Sequence, residues 1–282
     1  MEASTVRAAV AAATASARAF SLAVDEVVVL QNSNKLALRL LPGDVMARVA
    51  PATNQVAHLE VELAQRFREA GCPVAALDPR VEPRVYERDG FLITFWTFYE
   101  SLEPRAVDPA DYAAALARLH AGMRTVDVAT PHFTERVDVA EQLVADRERT
   151  PGLTDADRTL LGGSLRRLRR SVGTRGGEQL LHGDPHPDNL LDTKNGLLFI
   201  DLETCCRGPV EFDLAHAPEA VGEHYPGADQ DLFRECRLLV LAIITTWRWD
   251  RDDQFPDGRR LGREWLGRLR TAVDQHELDG AD

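Results

Sequence analysis

The spacing of apolar residues changes once along this chain, near residue 99, and the change limits what the chain can fold into more than any other feature. Before it, short apolar runs have the length and flanks of strands. Val27 to Leu30 and Leu36 to Leu41 surround the polar turn Gln31-Asn32-Ser33-Asn34, and Val45 to Ala50 follows Pro42-Gly43-Asp44. Residues 54 to 70 carry a helical period, with Val56, Leu63 and Phe67 on one face and Gly71 and Pro73 as the stop. Two more strands, Arg84 to Glu87 and Phe91 to Phe98, turn at Arg88-Asp89-Gly90. A small antiparallel sheet with one helix packed on it is the expectation.

After Tyr99 the period is helical. Asp108-Pro109 is an N-cap with proline at the first helical position, leading into Tyr112 to Met123. A second helix is expected from Thr154 to Val172, with Leu160, Leu161, Leu165 and Leu168 turned to the core. Its arginines, Arg166, Arg167, Arg169 and Arg170, then form a solvated face rather than a nucleic-acid stripe. Residues 229 to 249 become apolar on all sides, as a central buried helix does, and Leu261, Trp265, Leu269 and Val273 mark a last amphipathic helix. The fold class is therefore α+β and bilobal, with a small antiparallel-sheet lobe at residues 1–99 and a mainly helical lobe at 100–282.

At 282 residues, 44% hydrophobic and 28% charged, the chain can bury a core and is not disordered. A net charge of −12 disfavours nucleic acid and anionic membrane as partners, since both are repelled at long range. Residues 1–100 hold 12 carboxylates and 10 Lys/Arg, so nearly all of the acidity belongs to the second lobe. The longest apolar run, Leu238 to Ile244, is too short to span a bilayer, and the alanine-rich start has no signal-peptide core. Cys72, Cys205, Cys206 and Cys236 form no C-x-x-C pair, which suits a reducing compartment. The expected location is cytoplasmic.

The chemistry concentrates in Leu180-Leu181-His182-Gly183-Asp184-Pro185-His186-Pro187-Asp188-Asn189-Leu190-Leu191, followed by Leu198-Phe199-Ile200-Asp201-Leu202-Glu203. H-x-D, four residues, N, then an apolar strand ending in Asp is the spacing that kinases use for phosphoryl transfer. One carboxylate, Asp184, meets the proton of the attacking hydroxyl. An amide oxygen, Asn189, and a second carboxylate, Asp201, hold Mg²⁺, which prefers hard oxygen ligands. A rival takes His182, Asp184, His186 and Asp188 as ligands of a hydrolytic metal site, but it leaves Asn189 and Asp201 without a role.

These two segments, continued through Glu211-Phe212-Asp213-Leu214-Ala215, resemble the signature of the aminoglycoside phosphotransferase and choline kinase superfamily, a protein-kinase-like fold. The likeness runs from about residue 25 to the C-terminal helices. It implies that Asp213 braces the catalytic loop through hydrogen bonds, that His182 supports the loop rather than reacting, and that ATP or GTP is the phosphate donor. It also puts Arg48 where related kinases keep a phosphate-binding lysine. Glu60 lies on the apolar face of its helix, whereas Glu62 joins Arg66 on the polar side, so Arg48 and Glu60 are expected to pair.

The turn at 31–34 lacks the glycines of a kinase phosphate loop, leaving Ser33 and Asn34 as candidate donors. The hinge from Trp96 to Tyr99, with Trp96 and Phe98, is expected to meet the purine. Glu203, Glu211 and Glu223 are the candidates for binding a polycationic acceptor, such as an aminoglycoside or basic peptide antibiotic. A metabolic kinase for choline, an amino alcohol or a sugar amine is the alternative, and a nucleotide-binding module without turnover is a third.

Overall fold

The leucines at 36, 38 and 40 set the first sheet. In the computed structural model, which describes residues 1–54, 56–102 and 107–279, β1 (Val24–Asn32), β2 (Leu36–Pro42), β3 (Val45–Pro51), β4 (Tyr86–Arg88) and β5 (Phe91–Thr97) form an antiparallel sheet. Its order is β1-β2-β3-β5-β4. The register pairs Leu36 with Val49, Leu38 with Ala47 and Leu40 with Val45, and all six are buried on one face. Helix α1 (Ala3–Ala19), which the sequence pattern did not announce, covers that face with a stripe of Ala9, Ala12, Ala13 and Ala17. Alanine carries little hydrophobic signal, yet its missing bulk lets a helix approach a sheet closely.

The other face of the sheet carries Arg48 and Thr94, directly opposite each other on β3 and β5. Helix α2 (Val56–Glu69) buries Glu60, Val61, Leu63, Ala64 and Phe67. Asp89 and Gly90 both have positive φ between β4 and β5, as a two-residue turn matching the strands' twist requires. Helix α3 (Pro109–Met123) starts where expected, with the Asp108 carboxylate accepting from the Ala110 amide.

The chain divides into two compact units, Met1–Val128 with Asp188–Thr204, and Ala129–Pro187 with Cys205–Asp282. The first thus includes a late hairpin, β7 (Leu190–Thr193) and β8 (Gly196–Phe199), held where Phe199 donates to the Pro73 carbonyl and accepts from the Ala75 amide.

The second unit consists of α4 (Phe133–Ala145), α5 (Asp155–Gly173), the short strand pair β6 (Gln179–Leu181) and β9 (Cys206–Gly208), and four further helices. These are α6 (Val210–Leu214), α7 (Glu219–His224), α8 (Gln230–Trp247) and α9 (Gly258–Asp279). Helix α5, capped by Thr154, packs on α4 and α8 through Leu161, Leu165, Leu168 and Val172, while Arg166, Arg167 and Arg170 face solvent. Truncating a leucine as enclosed as Leu165 costs about 2–5 kcal/mol. The small antiparallel sheet and mainly helical remainder are as expected, with β1 longer and β4 later than the sequence runs suggested. Among the described residues no helix is long and apolar enough to cross a membrane.

Candidate active site

In the first unit the site grows out of the β7–β8 hairpin. Leu190 pairs with Phe199, and the Ile200 amide donates to the Asn189 carbonyl at 3.0 Å, so Asn189 stands beside the strand end that leads into Asp201. Asp201 has φ +67°, a left-handed conformation that aspartate tolerates better than most residues and that reverses the chain here. Its Oδ1 accepts a hydrogen bond from Lys35 Nζ at 2.7 Å, and the same ammonium reaches Glu203 Oε2 at 2.8 Å. Arg48 Nη1 donates to Glu60 Oε1 and lies 3.5 Å from Asp201 Oδ1. Burial disfavours the charges of both cations, but the carboxylates outweigh it: Glu60 and Asp201 hold the Lys35 ammonium and the Arg48 guanidinium above their usual values. Lys35, Arg48, Thr94, Asn54, Glu60 and Glu203 line one recess.

In the second unit a buried carboxylate organises the loop. As the chain leaves β6, the amides of His182 and Gly183 donate to Asp213 at 2.8 and 2.7 Å, one to each carboxylate oxygen. Gly183 has φ +84°, which lets two consecutive amides converge on that group. Asp184 follows at once. His216 Nδ1 is 2.9 Å from its Oδ1, and Arg136, which donates to the Gly183 carbonyl at 2.6 Å, brings its other nitrogen to 4.0 Å from Oδ2. Burial pushes the Asp184 carboxyl upward, yet His216, then Arg136 and His186, hold it far below the ordinary range. It is therefore a carboxylate at any physiological pH, suited to accepting a hydrogen bond from a hydroxyl and reluctant to keep its proton.

Residues 27–265 match the model of the phosphotransferase enzyme family, the APH family. The chain belongs to that family. Family membership makes it a small-molecule phosphotransferase. Solved structures of similar fold include an amicoumacin kinase in complex with AMP-PNP, Ca²⁺ and Ami (12% identity, 96% of each chain covered, TM-score 0.72). The aminoglycoside 2'-phosphotransferase-IIIa in complex with GDP is another (17%, 92% of this chain and 97% of that one, 0.68). A choline/ethanolamine kinase family protein from Mesorhizobium loti is a third (18%, 92% and 94%, 0.65). A search of curated protein sequences gives no match. At these identities the structural likenesses speak for the protein-kinase-like fold alone.

Within each unit of the phosphotransferase the expected site residues meet different surroundings. Arg48 and Glu60 pair, and Glu62 faces solvent against Arg66. Ser33 and Asn34 lie in an exposed turn, where Ser33 Oγ donates to Asn34 Oδ1 at 3.0 Å. The Trp96 indole is buried and donates to Thr94 Oγ1, whereas the half-buried Phe98 ring lies under Arg39. The Thr97 and Phe98 amides donate to the Ala76 and Asp44 carbonyls. The three candidate acceptor carboxylates differ in their surroundings. Glu203 belongs to the first unit with Lys35, Glu211 is buried and accepts from the Asp229 amide at 3.0 Å, and Glu223 alone of the three is exposed. His182 is fully buried, and no group of three or more His, Cys, Asp or Glu is gathered for a metal among the described residues.

Sequence reasoning missed Lys35, Arg136 and His216. Lys35 reaches its partners across 166 and 168 residues of chain, which no local pattern signals. His216 stands three residues after Asp213 on the turn that leaves α6, so it shares a face with the bracing carboxylate. That spacing was the available clue.

Proposed function

We propose that this phosphotransferase moves the γ-phosphate of ATP or GTP to a hydroxyl of a small cationic molecule, such as an aminoglycoside or a basic peptide antibiotic. The observation that carries it is the Asp184 carboxylate, fixed by His216 and Arg136 on a loop that Asp213 braces. The acceptor oxygen bonds to phosphorus as the bond to the leaving diphosphate breaks, and Asp184 aims the hydroxyl by accepting its hydrogen bond. A carboxylate so stabilised takes up the proton late.

Asn189 and Asp201, on either side of the β7–β8 hairpin, offer an amide oxygen and a carboxylate of the kind that suits Mg²⁺, which binds one or two carboxylates together with phosphates. When bound, the ion neutralises charge on the phosphates. Arg48, steadied by Glu60, adds a bidentate donor for them. In this proposal residues 1–99 supply the nucleotide site, with Phe98 near the purine, residues 100–282 supply the catalytic loop and acceptor site, and the setting is the cytoplasm.

A cationic acceptor is supported by the acidity of residues 101–282 and by the exposed Glu223. Ion pairing favours a second reading. Asp250, Asp253, Asp229 and Glu219 each meet an arginine, so fewer carboxylates are left to meet several amines at once, which suits a singly charged acceptor such as choline, an amino alcohol or a sugar amine. Radiolabelled ATP offered with aminoglycosides, basic cyclic peptides, choline and sugar amines separates the two. Label on a polyamine supports resistance chemistry, label on a monoamine alone moves the enzyme to metabolism, and label on no acceptor refutes the proposal.

A further inference from the structure

The 33 Lys and Arg residues of this chain include two lysines, Lys35 and Lys194. Everywhere else a cation is needed the chain uses arginine, so the lysine between Asp201 and Glu203 is a departure from habit with a chemical meaning. An ammonium is a compact, strongly hydrated charge on a flexible stem, closer to a hard metal ion than a planar guanidinium is. Its contacts of 2.7 and 2.8 Å engage one oxygen of each carboxylate, one of them the oxygen that Arg48 also approaches at 3.5 Å.

The charges of this cluster decide what can join it. Lys35 and Arg48 face Glu60, Asp201 and Glu203, leaving one net negative charge. A bare divalent ion must compete with an ammonium already seated on Asp201 and turns the cluster net positive. A divalent ion arriving with a triphosphate brings net negative charge, and the same ammonium then has phosphate oxygens to turn to. Lys35 is rooted at the foot of β2, directly after the glycine-free turn, and its side chain is only 14% exposed. The lysine thus stands where a glycine-rich loop would otherwise supply backbone donors to phosphate.

We propose that Lys35 is a counter-ion gate: it occupies Asp201 and Glu203 against bare divalent ions and transfers to the nucleotide's phosphates when metal and nucleotide bind together. This rests on the assignment of Asp201 to metal and of the first unit to nucleotide. The consequence is a pair of effects of opposite sign. Losing the ammonium improves binding of a metal alone and weakens binding of metal with nucleotide, whereas a lysine that only supports the fold would weaken both.

The test compares the full-length wild type with Lys35→Met, titrating Mn²⁺ alone by electron paramagnetic resonance and AMP-PNP with Mg²⁺ by calorimetry. The variant is expected to bind Mn²⁺ about ten-fold more tightly and the Mg²⁺ nucleotide about ten-fold more weakly, each factor equal to roughly 1.4 kcal/mol. Lys35→Gln carries the same comparison if the methionine variant does not fold. Effects of the same sign, or an unchanged Mn²⁺ affinity, overturn the gate. A wild type that binds Mn²⁺ but no nucleotide refutes the phosphotransfer reading instead, and the Mn²⁺ comparison still decides whether Lys35 guards the carboxylates.

Discussion

Replacing Asp213 by asparagine keeps the outline of the side chain and removes one of its two acceptors. In the wild type each carboxylate oxygen receives one amide, His182 at 2.8 Å and Gly183 at 2.7 Å, and the residue is fully buried. The asparagine oxygen can serve one amide, and its NH₂ group then confronts the other N–H. The substitution forfeits a hydrogen bond to a charged group, worth about 1.5–3 kcal/mol, and strands a buried donor at about 1–3 kcal/mol. A loss near 3 kcal/mol lowers Tm by roughly 5 °C in a chain of this size. Thermal unfolding gives the magnitude, and amide hydrogen exchange at residues 182 and 183 gives the location. A Tm within about 1 °C of wild type, with exchange at both amides unchanged, would refute the bracing role and the balance behind it.

Arg48→Ala and Glu60→Ala should each raise the nucleotide KM about ten-fold. Their double mutant should fall short of additivity by at least about 1 kcal/mol, because the two side chains act as one unit; Glu62→Ala is the neutral control. Asp184 has a depressed folded pKa, so its contribution to stability is complete above the unfolded value near 4 and is lost as pH falls through the lower folded value. Urea midpoints of the wild type should therefore fall more steeply between about pH 4.5 and 2.5 than those of Asp184→Asn. If the acceptor is a polycation, kcat/KM should drop severalfold between about 0.02 and 0.3 M salt, as the Debye length shortens from roughly 20 Å to under 10 Å. Glu223→Lys should flatten that dependence, and equal salt slopes in the two proteins would remove Glu223 from acceptor binding.

The parts of the fold that were legible in the sequence are those where side-chain period and burial coincide. Leu36, Leu38 and Leu40 alternate because one face of β2 is buried, and Asp108-Pro109 announces α3 because capping is a local interaction. Glu60 could be told from Glu62 because helical geometry puts only Glu60 among apolar neighbours. Four helices escaped, the short α6 and α7 besides α1 and α4. The buried stripe of α1 is made of alanine, and α4 opens on an unusual cap, with the His132 ring accepting from the Thr134 amide. At the site, Asp184, Asn189 and Asp201 were singled out because phosphoryl transfer calls for donors of those kinds in that order and spacing. Lys35, Arg136 and His216 were not, since each gains its meaning from a partner that only the folded chain supplies. The acceptor carboxylates had the weakest basis: counting charges does not reveal that Glu211 is buried beneath the start of α8 or that Glu203 already has a cation.

The account turns most directly on phosphoryl transfer through Asp184. Wild type and Asp184→Asn should be compared in a single assay that follows ³²P from [γ-³²P]ATP into an acceptor with Mg²⁺ present, alongside nucleotide affinity by calorimetry. The account predicts a phosphate monoester of the acceptor, a fall in kcat of about 10²-fold or more in the variant, and nucleotide affinity within about three-fold, because the side chain acts on the hydroxyl rather than on the phosphates. Turnover within about three-fold of wild type in Asp184→Asn would contradict it.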